Sequence, residues 1–115
     1  MSDVRMCAIF RVDLPLPAGK MAAQAGHAFL SAWQRATPNA RLVYDLSAQP
    51  KLVLLAPDEA ALRRIQGKAK ERGVAHALIT DAAKTVLPAP AVTVLGLGPM
   101  SRADYNSLTR GLRLA

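Results

Sequence analysis

Eight polar side chains in this sequence are spaced so that they could meet around one substrate. Lys20, Gln24, His27 and Ser31 recur every three or four residues, so on a helix at about 100° per residue they share one narrow stripe. Asp81, Lys84 and Thr85 form a second polar cluster, and Thr93 follows on the next apolar run. A lysine in the first turn of a helix adds to the positive end of the helix dipole, which suits a phosphate or a developing oxyanion. The plainer reading is a lysine reaching past apolar surface to water. A histidine well inside the same helix is most simply a buried side chain satisfied by a hydrogen bond, with a direct catalytic role as the alternative. Gln24 exchanges no proton near neutrality, but it can orient a water or bond a substrate amide. Asp81 serves either as a cap for the turn that follows or, beside Lys20, as a group that orients a water. The pairing would lower its pKa and limit it as a base. Thr85 and Thr93 offer hydroxyls for orientation, and strand threonines are commonly structural.

These residues need elements to hold them. The alternation of Val4 to Val12 predicts a largely buried strand, with Val4, Met6, Ala8, Phe10 and Val12 facing one way and Arg5, Cys7, Ile9 and Arg11 the other. Pro15 and Pro17 interrupt it, and a helix is expected over about residues 19 to 36, stopped by Thr37-Pro38-Asn39. That helix is apolar over most of its circumference, Trp33 included, so it is expected to be buried nearly all round. Arg41 to Ala48 is ambiguous between a short helix and an irregular segment. Lys51 to Ala56 reads as a strand covered on both faces. A helix follows with Pro57 at its first position, basic residues in its last turn and Gly73 beyond it; Arg63, Arg64, Lys68 and Lys70 lie off its apolar face. Val74 to Thr80 and Ala91 to Leu97 are further strands, with Gly96 and Gly98-Pro99 marking a close backbone approach or a turn. Ser101 begins a capping box for a last helix to about Arg110, and Gly111 turns the chain into a short edge strand. The order predicts a three-layer α/β/α sandwich around a small mixed sheet of about four to five strands, as a single domain over residues 1–115.

Composition narrows the function. The chain carries 15 Lys and Arg against 8 Asp and Glu, a formal charge of +7, which favours an anionic partner and nucleic acid first. Cys7 is the only cysteine, so no intrachain disulfide forms and a reducing compartment is expected. Asp3, Arg5 and Arg11 break the first apolar stretch, so no signal peptide is expected there, and no run is long enough for a membrane helix; a soluble cytoplasmic protein follows. His27 and His76 are far apart and no ligand-spaced cluster appears, so no metal site is expected. Phosphate-binding and dinucleotide loops and the nucleophile elbow are missing as well.

Gly19-Lys20-Met21-Ala22-Ala23-Gln24-Ala25-Gly26-His27-Ala28 resembles the Gly-Lys-x-Ala-Ala-Gln-x-x-His-Ala motif of the archaeal and eukaryotic type of peptidyl-tRNA hydrolase. Three more matches follow in the family's order: Gln49-Pro50-Lys51, Asp81-Ala82-Ala83-Lys84-Thr85, and Thr93-Val94-Leu95-Gly96-Leu97-Gly98-Pro99. The closing Gly111-Leu112-Arg113-Leu114 is also similar. Ala83 and Ala48 stand where the family has glycine, and Asp13-Leu14-Pro15-Leu16 resembles an uncharacterised sister group of the same fold. The resemblance implies a homodimer that cleaves the ester between a peptide and the 3′ ribose of tRNA, without metal or organic cofactor, and recycles tRNA from stalled translation. It implies Lys20, Asp81, Thr85 and Thr93 as active-site positions, with Gln24 and His27 beside them. Lys20 would stabilise the oxyanion, and Asp81 with Thr85 would place the water. Arg11, Arg35, Lys51 and Lys84 would hold tRNA phosphates. A basic RNA-binding module without catalysis, or a sister-group domain with another partner, are the alternatives.

Overall fold

The computed structural model describes residues 3–81 and 89–115. The element order is β1 (Val4–Arg11), α1 (Ala18–Arg35), α2 (Pro38–Asp45), β2 (Lys51–Ala56), α3 (Glu59–Glu71), β3 (His76–Asp81), β4 (Ala91–Ser101), α4 (Arg102–Leu108) and β5 (Arg113–Leu114). One mixed sheet runs in the order β3-β4-β1-β2-β5. β1 and β2 are parallel, while β4 is antiparallel to both β1 and β3. The carboxyl ends of β1, β2 and β3 therefore share one edge of the molecule.

Alternation along β1 sorts the core into two layers. Cys7 and Ile9 pack with Leu62 and Ile65 of α3 and with Leu108 of α4. Met6, Ala8 and Phe10 face the other way, against Ala25, Ala28 and Ala32 of α1 and Tyr44 of α2. The helices thus cover both faces of the sheet, as the alternation of these strands requires.

α1 departs from the expectation of burial all round. Its buried residues are Gln24, Ala25, Ala28 and Ala32, whereas Ala22, Ala23, Gly26 and Leu30 are exposed. For Ala22, Ala23 and Gly26 the physical reason is size: alanine and glycine carry so little apolar surface that leaving them in water costs little. Small residues serve closeness instead. A Cβ on Gly96 of β4 would stand 2.2 Å from the Ala28 carbonyl oxygen, so α1 lies directly on the β4 backbone. Trp33 is also not in the core; it is half-buried, its indole N–H donates to Asp45 at 2.8 Å, and the Arg41 guanidinium lies over its ring.

Other boundaries shift for local reasons. Thr37 accepts from the Ala40 amide and Pro38 takes the first helical position, so the segment that stops α1 starts α2. Asp58 caps α3 by accepting from the Ala61 amide at 2.9 Å, which places Pro57 before the cap rather than at the first helical position. β4 continues through Gly98-Pro99 to Ser101 without turning; Gly98, at φ 105, lies where a Cβ would press on the Arg5 carbonyl. Ser101 caps α4 by accepting from the Asp104 amide at 3.1 Å. The left-handed backbone near the second motif falls at Gln49, φ 56, and not at Ala48. Among the described residues no helix is long and apolar enough to cross a membrane.

Candidate active site

β3 ends at Asp81, two residues after Ile79, which packs on the α1 side; the period of two puts both on that face. Across from it, α1 begins after Pro17, which offers no side-chain cap, and no acidic residue stands in the first turn. The leading amides and the Lys20 ammonium make a concentrated positive end. Lys20 Nζ meets Asp81 Oδ1 at 3.1 Å, with the aspartate side chain 5% exposed and the lysine 22%. Asp81 Oδ2 accepts no hydrogen bond among the described residues. A buried ion pair of this kind stabilises little, because desolvation offsets its attraction. Its chemical value is a fixed ammonium beside a fixed carboxylate.

One turn further along α1, Gln24 is buried and its Oε1 accepts a 2.7 Å hydrogen bond from the Thr93 hydroxyl. The other acceptor near that hydroxyl, the Ile79 carbonyl at 3.5 Å, is too distant to compete. With its oxygen held, Gln24 has its amide N–H groups left to donate. Thr93 reaches this position through a bulge: Ile79 pairs with Val94 and Thr80 with Val92, so Thr93 is the extra residue. Thr93 and Val94 consequently both face α1, while Val92 turns to the α3 core. Re-aiming one side chain is what a bulge does to a strand.

Lys20, Gln24, His27 and Ser31 line a cleft of about 350 Å³ together with Ile79, Thr80 and Asp81. His27 is exposed at its rim and has no hydrogen bond among the described residues, so it is not the buried, satisfied histidine expected from its place in the helix. Ile79 and Thr80 are lining residues that sequence reasoning did not single out; their one signal is adjacency to Asp81. Thr93 lies beneath the cleft, fully buried, and reaches it only through Gln24. Lys84 and Thr85 lie outside the described residues, as does Ala83.

The remaining basic candidates are not gathered here. Arg11 is at the same edge, but it donates to Asp13 at 2.7 and 2.8 Å, and to Glu59 and the Val92 carbonyl at 3.1 Å. Its hydrogen bond to Asp13 raises the guanidinium pKa and lowers that of the carboxyl. Lys51 pairs in register with Met6 at the start of β1, and Arg35 donates to the His76 carbonyl at the start of β3. Both therefore stand at the opposite end of the sheet. Among the described residues no three His, Cys, Asp or Glu side chains are grouped to hold a metal ion. The cleft can place a cation against developing negative charge, a carboxylate against a water, and an oriented amide against a carbonyl or base.

Fold and cleft define a three-layer α/β sandwich with a lysine–aspartate pair at the carboxyl edge of its sheet. The chain belongs to the peptidyl-tRNA hydrolase PTH2 family, whose model matches residues 4–115. It is 40% identical over 121 residues to peptidyl-tRNA hydrolase 2 of Saccharomyces cerevisiae, covering 97% of this chain and 58% of that protein. It is 39% identical to the mouse protein named peptidyl-tRNA hydrolase 2, mitochondrial, covering 97% and 64%. It is 32% identical to the peptidyl-tRNA hydrolase of Haloquadratum walsbyi, covering 96% and 99%. The chain thus spans less than two thirds of the yeast and mouse relatives it matches. A solved structure of an Agrobacterium protein of unknown function shares the fold, with a TM-score of 0.65 at 19% identity, covering 100% of this chain and 99% of that one.

Proposed function

We propose that this protein is a hydrolase of peptidyl-tRNA, cleaving the ester between the peptide and the tRNA 3′ ribose. Membership of the family supports the substrate class, and the observation that carries the chemistry is the 3.1 Å Lys20–Asp81 pair on the cleft. Water attacks the ester carbonyl, and the carbonyl oxygen gains negative charge. Lys20 stabilises that charge, an effect worth about 3 kcal/mol for one well-placed donor. Asp81, with Thr85, positions the attacking water and orients Lys20. The bond from the acyl carbon to the ribose 3′ oxygen then breaks, leaving a peptide carboxylic acid and a tRNA with a free 3′ hydroxyl. Gln24 binds the ester or the terminal adenosine through its amide, with Thr93 holding it in place, and His27 lies beside the substrate at the rim.

Lys84, Lys51 and Arg35 hold tRNA phosphates at a distance from the ester; Arg11 joins them only by giving up Asp13 or Glu59. Such contacts make binding weaken steeply with salt. The reading is completed by a single peptidyl-tRNA hydrolase-like domain acting as a cytoplasmic homodimer in the recycling of tRNA, with no metal or organic cofactor. The direct test is release of free tRNA from N-acetyl-aminoacyl-tRNA. Lys20→Ala and Asp81→Ala are each expected to lower turnover by about 10²–10³-fold. A wild-type protein that binds tRNA, leaves the ester intact and is indifferent to loss of Asp81 is instead an RNA-binding module.

A further inference from the structure

On the face of the sheet opposite α1, a groove of about 530 Å³ runs between α3 and α4, larger than the cleft at Lys20. Its size is in the range that takes small ligands or peptide side chains. Ala61, Ile65, Leu108 and Leu112 form an apolar floor. Arg64, Lys68 and Arg110 stand around it, exposed, and among the described residues none of the three makes an ion pair. All 8 Asp and Glu side chains lie among the described residues, and none lines the groove. Elsewhere carboxylates are spent on neighbouring cations: Glu59 on Arg11 and Arg63, Asp104 on Arg72, Asp3 on Arg5 and Arg102. Arg64 and Lys68 are moreover four residues apart on one helix, where like charges repel. That repulsion costs α3 some stability and is relieved by an anion seated between them.

We propose that the α3–α4 groove is a docking surface for an acidic, leucine-rich peptide segment of a partner protein. The segment places aliphatic side chains on the floor and carboxylates against Arg64, Lys68 and Arg110. Charge complementarity requires the partner to be anionic, and the floor decides its class. A nucleic acid presents phosphates and bases, and proteins take bases on aromatic faces or guanidinium planes. Among the described residues the groove has no aromatic side chain, the guanidiniums of Arg64 and Arg110 stand around the floor rather than on it, and that methyl-lined floor gains by removing aliphatic groups from water. Neither the Lys20–Asp81 pair nor the hydrolytic reading enters this inference.

The probe is a fluorescein-labelled 12-residue peptide of alternating Glu and Leu, compared with one in which Ser replaces each Leu. Fluorescence anisotropy is expected to show micromolar binding of the Glu-Leu peptide, weakened at least tenfold by Arg64→Glu/Lys68→Glu/Arg110→Glu. A matched reversal on the α1–α2 side, Arg35→Glu/Arg41→Glu/Lys51→Glu, is expected to weaken it less than threefold. The Glu-Ser peptide is expected to bind at least fivefold more weakly than the Glu-Leu peptide. Amide shifts of the unaltered protein on titration, which need no variant to fold, are expected to map to α3 and α4. Equal effects of the two reversals, equal binding of the two peptides, or shifts confined to α1 overturn the proposal. So does a groove reversal that weakens tRNA binding tenfold while the peptide fails to bind, because that outcome makes the groove a nucleic-acid surface.

Discussion

Thr93 and Gln24, separated by 69 residues in the chain, share a buried 2.7 Å hydrogen bond that fixes which end of the Gln24 amide donates. Removing the hydroxyl leaves a buried amide oxygen without its donor, which costs about 1–3 kcal/mol. Thr93→Val is therefore expected to lower the thermal midpoint and to reduce kcat/KM about tenfold or more through loss of a positioned amide. Thr93→Ser keeps the donor and is expected to restore most of the kcat/KM. Loss in Thr93→Ser with Thr93→Val unaffected would mean that methyl packing, not the hydrogen bond, sets the role of Thr93.

Asp81 and Lys20 form a pair that is part sealed and part open, with side-chain exposures of 5% and 22%. Asp81→Asn keeps the shape and removes the charge. Because Lys20 retains a path to water, the expected loss is about 1–3 kcal/mol, short of the 3–5 kcal/mol for a fully buried pair broken on one side. Urea denaturation of Asp81→Asn, Lys20→Met and the double variant measures the coupling; additive losses would show that the two charges do not support each other.

Glycine at two places should answer oppositely to the same substitution. At Gly96 a Cβ would meet the Ala28 carbonyl oxygen at 2.2 Å, so Gly96→Ala must push α1 off the sheet and is expected to cost about 3 kcal/mol or more. At Gly67, inside α3, a Cβ meets nothing within 4 Å, so Gly67→Ala is expected to gain about 0.5–1 kcal/mol from helix propensity. A calorimetric midpoint that stays level or rises for Gly96→Ala would contradict this packing of α1 on β4.

Cys7 lies fully buried in the α3 core, and burial pushes its thiol up to about 12 from 9.0. Between those values the unfolded chain releases a proton that the folded chain keeps. Its contribution to stability is thus present below pH 9 and is lost as pH rises toward 12, at about 1.4 kcal/mol per pH unit. The stability curves of wild type and Cys7→Ala are expected to run parallel below pH 9 and to converge above it. Curves that stay parallel to pH 11 would show that the folded thiol ionises normally.

Much of this fold was legible because local patterns and tertiary packing agree. The alternation of Met6, Ala8 and Phe10 against Cys7 and Ile9 anticipates the two core layers, and Lys51 to Ala56 is a strand within those bounds. Asp81 and Thr93 stood out as polar residues beside apolar runs, and the family motifs then implied them as active-site positions. Periodicity misled at α1, where hydrophobic character was read as burial although alanine and glycine carry little surface to bury. The same periodicity did put His27 on the stripe that lines the cleft; only the simplest reading of it, as a buried and satisfied side chain, fails, since it stands exposed at the rim.

What the sequence by itself determined is every element but α2, the two-sided sheet, the polar stripe of α1 and the family, since each depends on residue type at short spacing. Tertiary structure alone decided which polar groups meet. The parallel course of β1 and β3 sets Asp81 opposite the start of α1, and a bulge in β4 turns Thr93 toward Gln24. The same topology sends Lys51 and Arg35 to the far end of the sheet and leaves Arg64, Lys68 and Arg110 around one groove. Strand direction and register are settled by how the whole core closes, and no local run of residues contains that information.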